Sequence, residues 1–219
     1  MAVVAEDVRA APAEALPVAD PAPLGLAAFA LTTFILSGHN ATFIPDLIWV
    51  GPALFYGGLV QLLAGMWEFR NRNVFGSTAF STYGGFWLAL GIFVTFATLS
   101  KSFAAAITVL LAFAIFNLYM LLWSTRVNAA VFGVFLTLQI TEVLLVVGFF
   151  MEAHGHANNG WLHAGGWVGI VTAAVAWYTS AAGVVNGMSP RPVLPVGSPF
   201  WGAVPEVSRR TRPMPQRAG

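Results

Sequence analysis

Six apolar runs, each about as long as a membrane is thick, constrain this chain more than any other feature. A helix needs about 20 mostly apolar residues to cross about 30 Å of hydrocarbon. Such runs lie near residues 23–40, 47–67, 78–99, 102–123, 128–151 and 162–185. Short links join them, so neighbours in sequence are expected to run antiparallel. No proline stands between Pro52 and Pro190. An unbroken helix satisfies its own backbone N–H and C=O groups where no water can do so. Pro21, Pro23 and Pro52 fall where helices begin, and there a missing N–H does least harm. Only 9% of the 219 residues are charged, against about a quarter in a soluble domain. The expectation is an all-α membrane protein with six transmembrane helices per subunit.

Lys and Arg divide unevenly between the two ends of these helices. With six spans, both termini share a side. Arg9, Arg70, Arg72, Arg126, Arg191, Arg209, Arg210, Arg212 and Arg217 fall on that side, and only Lys101 falls opposite. Positive charge gathers on the cytoplasmic face. Both termini are therefore expected in the cytoplasm, and the protein in the cell membrane. Residues 1–20, rich in Ala, Pro and acid, read as a disordered N-terminal arm. They lack the basic start and apolar core of a secretory signal. Residues 21–186 make up the six-helix transmembrane domain. Residues 187–219 form a Pro- and Arg-rich tail, expected to be mostly disordered and placed to lie against anionic lipid. A net charge of +1 offers no basic face for nucleic acid. The chain has no cysteine, which excludes disulfides, thiolate catalysis and Cys-ligated metals.

Among the Asp, Glu, Lys and Arg residues, only Glu142 falls mid-span. An ionisable group at membrane depth is a functional candidate by default. Burial disfavours the charged form of a carboxyl, so Glu142 reads either as a proton carrier or as a neutral group bonding a neighbouring helix. Leu138 and Gln139 share its helix face. In the second span, Gly58, Gln61, Gly65 and Glu68 recur at spacings of three and four. The glycines read as close helix packing, and Gln61 as helix glue or pathway lining. Gly165, Gly169 and Ala173 form a similar small-residue stripe in the sixth span. The third span opens with the hydroxyls Ser81, Thr82 and Tyr83. Hydroxyls at that depth can replace water around a polar solute. His154, His156 and His163 near the far end read as solvated residues, because a zinc site needs three or four converging ligands. No phosphate-cradling loop, metalloprotease helix or serine-nucleophile turn is present in the sequence. No enzyme activity and no cofactor or metal are expected.

The motifs carry a resemblance. "DPAPLGL", starting at Asp20, resembles the NPAPLGL signature of the acetate uptake transporter family, which includes the succinate–acetate permeases. "TTFILSGHNA", "FYGGLVQLLAGMWEFRNRNVFGSTAFSTYGGFWL", "GGWVGIVTAAVAWYTSAAGVVN" and "RPVLPVG" are similar to the family in the same order. The resemblance covers about Asp20 to Gly197. It implies a six-helix subunit in a homo-hexamer, with a pathway through each subunit. Implied substrates are acetate and related short carboxylates such as succinate, moved by channel or by proton symport. It also implies a narrow apolar waist at Phe29, Tyr83 and Leu138. Thr32, Thr33, Gln61, Ser81 and Thr82 are the expected polar donors, with Glu142 nearby. Asp20, Pro21, Pro23 and Gly25 form the helix-entry motif. Two positions depart from the family pattern: an acid stands at Asp20 where the motif has Asn, and Glu142 replaces an apolar residue. Ammonium or another small solute on the same fold is one alternative. A non-transporting scaffold or sensor, docking partners through its tail, is another.

Overall fold

The computed structural model describes residues 18–44, 48–96, 103–156 and 159–202. Among them every regular element is helical. Six helices are long and apolar enough to span a membrane. They are α1 (Ala22–Asn40), α2 (Val50–Arg70), α3 (Val74–Phe96), α4 (Phe103–Ser124), α5 (Ala129–Ala153) and α6 (Gly160–Gly187). The protein is a multi-pass membrane protein. The N-terminal arm before residue 18, Lys101 and the chain beyond residue 202 lie outside the described residues.

Side chains at the helix starts fix these boundaries. Asp20 accepts a bond from the Ala22 N–H at 3.0 Å. Asn128 accepts from Val131 N–H at 2.8 Å, and Asn159 from Leu162 N–H at 3.2 Å. Each supplies an acceptor to a first-turn donor that has none within its helix. The α2–α3 link is built on Glu68. Its carboxylate oxygens accept bonds from the Asn71 and Asn73 amides, each at 3.1 Å, while Arg72 turns through a φ of 61°.

Several large polar side chains are buried, and many large apolar ones face outward. Gln61, Glu68, Asn117, Thr32 and Thr172 are among the largest fully buried side chains. Phe55, Phe69, Leu122, Val143 and Val171 point outward. In lipid the apolar face needs no cover, whereas each polar group must find a partner inside. α1 is central. It packs closely on α6 and also meets α2, while α5 joins α6 to α4 and α2 pairs with α3. Small residues permit the closest approaches. A Cβ at Gly169 of α6 would run into Ser37 Oγ of α1, and one at Gly183 would meet Pro23 Cγ at 2.7 Å. The stripes read from the sequence, Gly58–Gln61–Gly65–Glu68 and Gly165–Gly169–Ala173, are buried throughout.

Three features differ from the sequence expectation. First, α3 begins at Val74 instead of residue 78. Tyr83 therefore lies about two and a half turns inside the helix, not one and a half. Second, α2 is interrupted by a π-helical turn, Phe55–Val60, just after Pro52. Thr32 of α1 sits against it. Its hydroxyl bonds the Ala28 carbonyl at 3.0 Å and reaches the Pro52 carbonyl at 3.5 Å, in space that only a glycine at position 57 leaves open.

Third, residues 188–202 do not form a loose tail. Asn186 accepts from Val193 N–H at 2.7 Å and Leu194 N–H at 3.0 Å, and donates to the Leu194 carbonyl at 2.9 Å. Tyr178 donates to the Pro195 carbonyl at 2.6 Å. Farther on, Ala130 N–H donates to Val196 O at 2.9 Å and Phe200 N–H to Thr125 O at 2.8 Å. Proline content suggested disorder because prolines cannot donate. Here the prolines' neighbours and the helix ends supply the donors. We expect Asn186→Ala to cost about 2 kcal/mol, at roughly 1 kcal/mol for some of these bonds and less for others. The thermal unfolding midpoint of the purified protein should fall by several degrees, and the Val193 and Leu194 amides, which Asn186 holds, should exchange faster with deuterium. Unchanged exchange at those two amides would show that Asn186 does not hold the strap.

Candidate functional site

A cavity of about 60 Å³ lies between α1, α2, α3 and α5. Its lining begins at the helix ends that carry Arg70 and Arg72, with Ala22, Asn73 and Phe75. It ends at Phe29, Tyr83 and Leu138. Seven residues separate Ala22 from Phe29, so the cavity reaches roughly 10 Å along α1. It has space for a few waters or a small solute. Its wall is mostly apolar, and Gln61, Asn73 and Tyr83 are the lining side chains with polar groups.

The inner end is closed by packing. Phe29, Tyr83 and Leu138 are 5%, 4% and 7% exposed and belong to one apolar cluster. The Phe29 and Tyr83 rings lie 5.8 Å apart at 59°. Phe116 sits edge-on to Tyr83 at 5.4 Å. Three helices thus meet at the ring of one tyrosine, where the resemblance places a waist.

Behind that ring is a buried polar network. The Tyr83 hydroxyl lies 3.0 Å from Asn117 Oδ1 of α4 and 3.4 Å from Glu142 Oε1 of α5. The Asn117 amide donates to the Phe135 carbonyl and to Gln139 Oε1, both at 3.0 Å. Glu142 is 6% exposed, and its Oε2 has no hydrogen-bond partner. Asn117 is the node of this network, and it escaped the sequence reading. Gln61 is marked by the glycines spaced around it and Glu142 by its charge, and the amide in "FNLYM" has neither signal. The available signal was its place as the one amide side chain in a mostly apolar α4.

The remaining candidates divide clearly. Gln61 is 1% exposed, lines the cavity, and its Oε1 has no partner. Thr32 faces the π-helical turn, as described above. Thr33 is buried with an unpartnered hydroxyl, and it does not line this cavity. Ser81 is wedged against Gly65 between α2 and α3. Thr82 is half-buried, and neither hydroxyl residue lines the cavity. Of the Ser81–Thr82–Tyr83 run, only Tyr83 reaches it, because consecutive residues on a helix face different ways. The entry motif holds α1 in place. Gly25 lies against the Phe80 ring of α3, and the Pro23 carbonyl accepts a bond from Ser180 of α6 at 2.6 Å.

The family is decided by comparison with known proteins. Residues 5–196 match the model of the GPR1/FUN34/yaaH family. The chain belongs to this family. It is 34% identical to the succinate-acetate/proton symporter SatP of Escherichia coli over 185 residues, covering 82% of this chain and 96% of that one. It is 39% identical to acetate permease A of Emericella nidulans over 209 residues, 86% of this chain and 69% of that longer protein. The structure is similar to that of the bacterial acetate channel SatP, with a TM-score of 0.75 and 34% identity. That match covers 82% of this chain and 99% of the other.

The geometry makes a prediction about stability. Asn117→Leu removes three hydrogen bonds, which in membrane proteins average about 0.6 kcal/mol each. We expect a loss of about 2 kcal/mol. In a double-mutant cycle, Asn117→Leu and Tyr83→Phe should couple by about 0.5 kcal/mol or more, as contacting residues do. Strictly additive effects on unfolding would remove Asn117 as the anchor of Tyr83.

Proposed function

We propose that this protein carries acetate and related short carboxylates, such as succinate, across the cell membrane by a pathway through each subunit. The observation that carries this reading is the cavity that ends on the buried ring of Phe29, Tyr83 and Leu138. Moving a bare carboxylate into hydrocarbon is strongly unfavourable. The cavity wall carries two amides, Gln61 and Asn73, the second already bonded to Glu68. The apolar waist then keeps water out of the narrowest point, so a small solute passes only after shedding its hydration. The names of the related proteins, an acetate permease, a succinate-acetate/proton symporter and an acetate channel, support the same substrate class.

Proton-linked uptake, a homo-hexameric assembly and cytoplasmic termini belong to this reading. Charge supports the last point. Arg70, Arg72, Arg126 and Arg191 are all exposed at the end where α1, α3 and α5 begin, as expected for a cytoplasmic face. The outward Phe, Leu and Val side chains suit contact with lipid or with neighbouring subunits.

Uptake of labelled acetate into proteoliposomes, with and without an imposed pH gradient, tests the reading. Flux above that of empty liposomes is expected, with competition by succinate and not by ammonium. Phe29→Ala and Tyr83→Ala remove most of the waist. They should shift the ratio of succinate to acetate flux severalfold towards succinate. Wild-type rates and selectivity in both variants would sink the waist assignment. Flux inhibited by ammonium alone would favour a different solute on the same fold.

A further inference from the structure

Glu142 stands out among the buried groups. It sits in the middle of α5, one turn beyond Leu138 of the waist, with one weak hydrogen bond and one bare oxygen. Among the described residues no cation pairs with it. α4 carries no charged residue, and the titratable groups on the helices around it are few. Tyr83 of α3 faces it directly. Tyr119 of α4 is 44% exposed and turned towards Phe116. His39 of α1 and His163 of α6 lie near the opposite helix ends, and Tyr178 of α6 is engaged with Pro195. α6 presents Thr172 to the neighbouring Thr141 at 3.1 Å.

The decisive geometry is a competition. A phenol has one proton to donate. Tyr83 has two acceptors within reach, Asn117 Oδ1 at 3.0 Å and Glu142 Oε1 at 3.4 Å. When Glu142 is neutral, its proton sits on Oε1 and is donated to the phenol oxygen. The Tyr83 proton then goes to Asn117, and all three groups agree. When Glu142 is ionised it can only accept. A charged acceptor outcompetes a neutral amide, so the Tyr83 hydroxyl turns towards Glu142 and Asn117 Oδ1 loses its donor. The waist tyrosine is then held by a different helix, and a negative charge stands behind it. An approaching carboxylate meets repulsion that low-dielectric surroundings do little to screen.

We propose that Glu142 is the proton-binding residue that sets the hydrogen-bond partner of Tyr83, and thereby lets the waist pass a carboxylate only when Glu142 carries a proton. It is a positioning residue, acting on the solute through Tyr83. The proposal rests on the carboxylate-transport reading, and its test separates the two.

Full-length protein in proteoliposomes is assayed for labelled acetate flux across a series of symmetric pH values, with empty-liposome flux subtracted. In the wild type, flux falls as pH rises, by at most about tenfold per pH unit, the limit for loss of one proton. In Glu142→Gln the ratio of low-pH to high-pH flux collapses towards one. Tyr83→Phe, which cannot choose between acceptors, flattens the profile as well. A wild-type pH profile in Glu142→Gln overturns the proposal.

Infrared difference spectroscopy across the same titration supplies a readout independent of flux. A protonated-carboxyl band should disappear with rising pH, be missing in Glu142→Gln and shift in Tyr83→Phe. A band that does not move in Tyr83→Phe overturns the proposal even where Glu142→Gln does not fold. Absence of acetate flux in the wild type at every pH would sink the transport reading alone. The infrared titration would then still decide whether Glu142 and Tyr83 form the switch.

Discussion

Every polar group inside this bundle has to find its partner in protein, because lipid offers none. That constraint explains where the buried side chains go. Glu68 takes two asparagine amides and so shapes the α2–α3 link. Thr141 and Thr172 bond each other across α5 and α6. Asn117 uses both ends of its amide to join α3, α4 and α5. The rule has exceptions among the described residues: Gln61 Oε1 and Glu142 Oε2, at or next to the cavity, are buried without partners, and so are polar atoms of Thr33, Trp49, Ser81 and Trp87, which do not line it.

Packing and pathway are joined at α1. Its glycine-lined contact with α6 and its Pro23–Ser180 bond fix the helix from one side. Thr32 and the π-helical turn of α2 fix it from another. Phe29, one turn before Thr32, is thereby presented to Tyr83 without freedom to drift. A π turn widens a helix locally and often accompanies a functional site. Here it leads directly into Gln61, the first residue after it, and that residue lines the cavity.

The helical architecture could be read from the sequence because lipid imposes a simple code. Apolar length and the exclusion of proline specify spans without any knowledge of packing. The meeting of Phe29, Tyr83 and Leu138 in one buried cluster was expected only through resemblance, since nothing in their spacing brings three helices to one point. Glu142 announced itself by charge. Asn117 did not, although it anchors the same tyrosine, because it lacks both the charge that marks Glu142 and the small-residue stripe that marks Gln61. Ser81 and Thr82 misled in the other direction. Their hydroxyls resembled a polar lining, yet the helix turns them away from the cavity. The strap at 188–202 was hidden for a related reason. Composition counts prolines, and it does not count Asn186, Tyr178 or the helix ends that bind the carbonyls between them.

Asp20 shows how a single departure redistributes a task. A helix N-terminus attracts anions through its free N–H groups and its dipole. In this protein the exposed Asp20 carboxylate already occupies the Ala22 N–H. It also interacts with the buried Glu68 carboxylate nearby. The start of α1 is therefore an occupied site with negative charge around it, and an anion gains little by stopping there. Of the two amides on the cavity wall, Asn73 stands at this same end and is already bonded to Glu68. Gln61 stands nine positions before Arg70 on α2, away from these acids. The entry motif is left with the mechanical role its contacts show: it seats α1 between α3 and α6 so that Phe29 meets Tyr83.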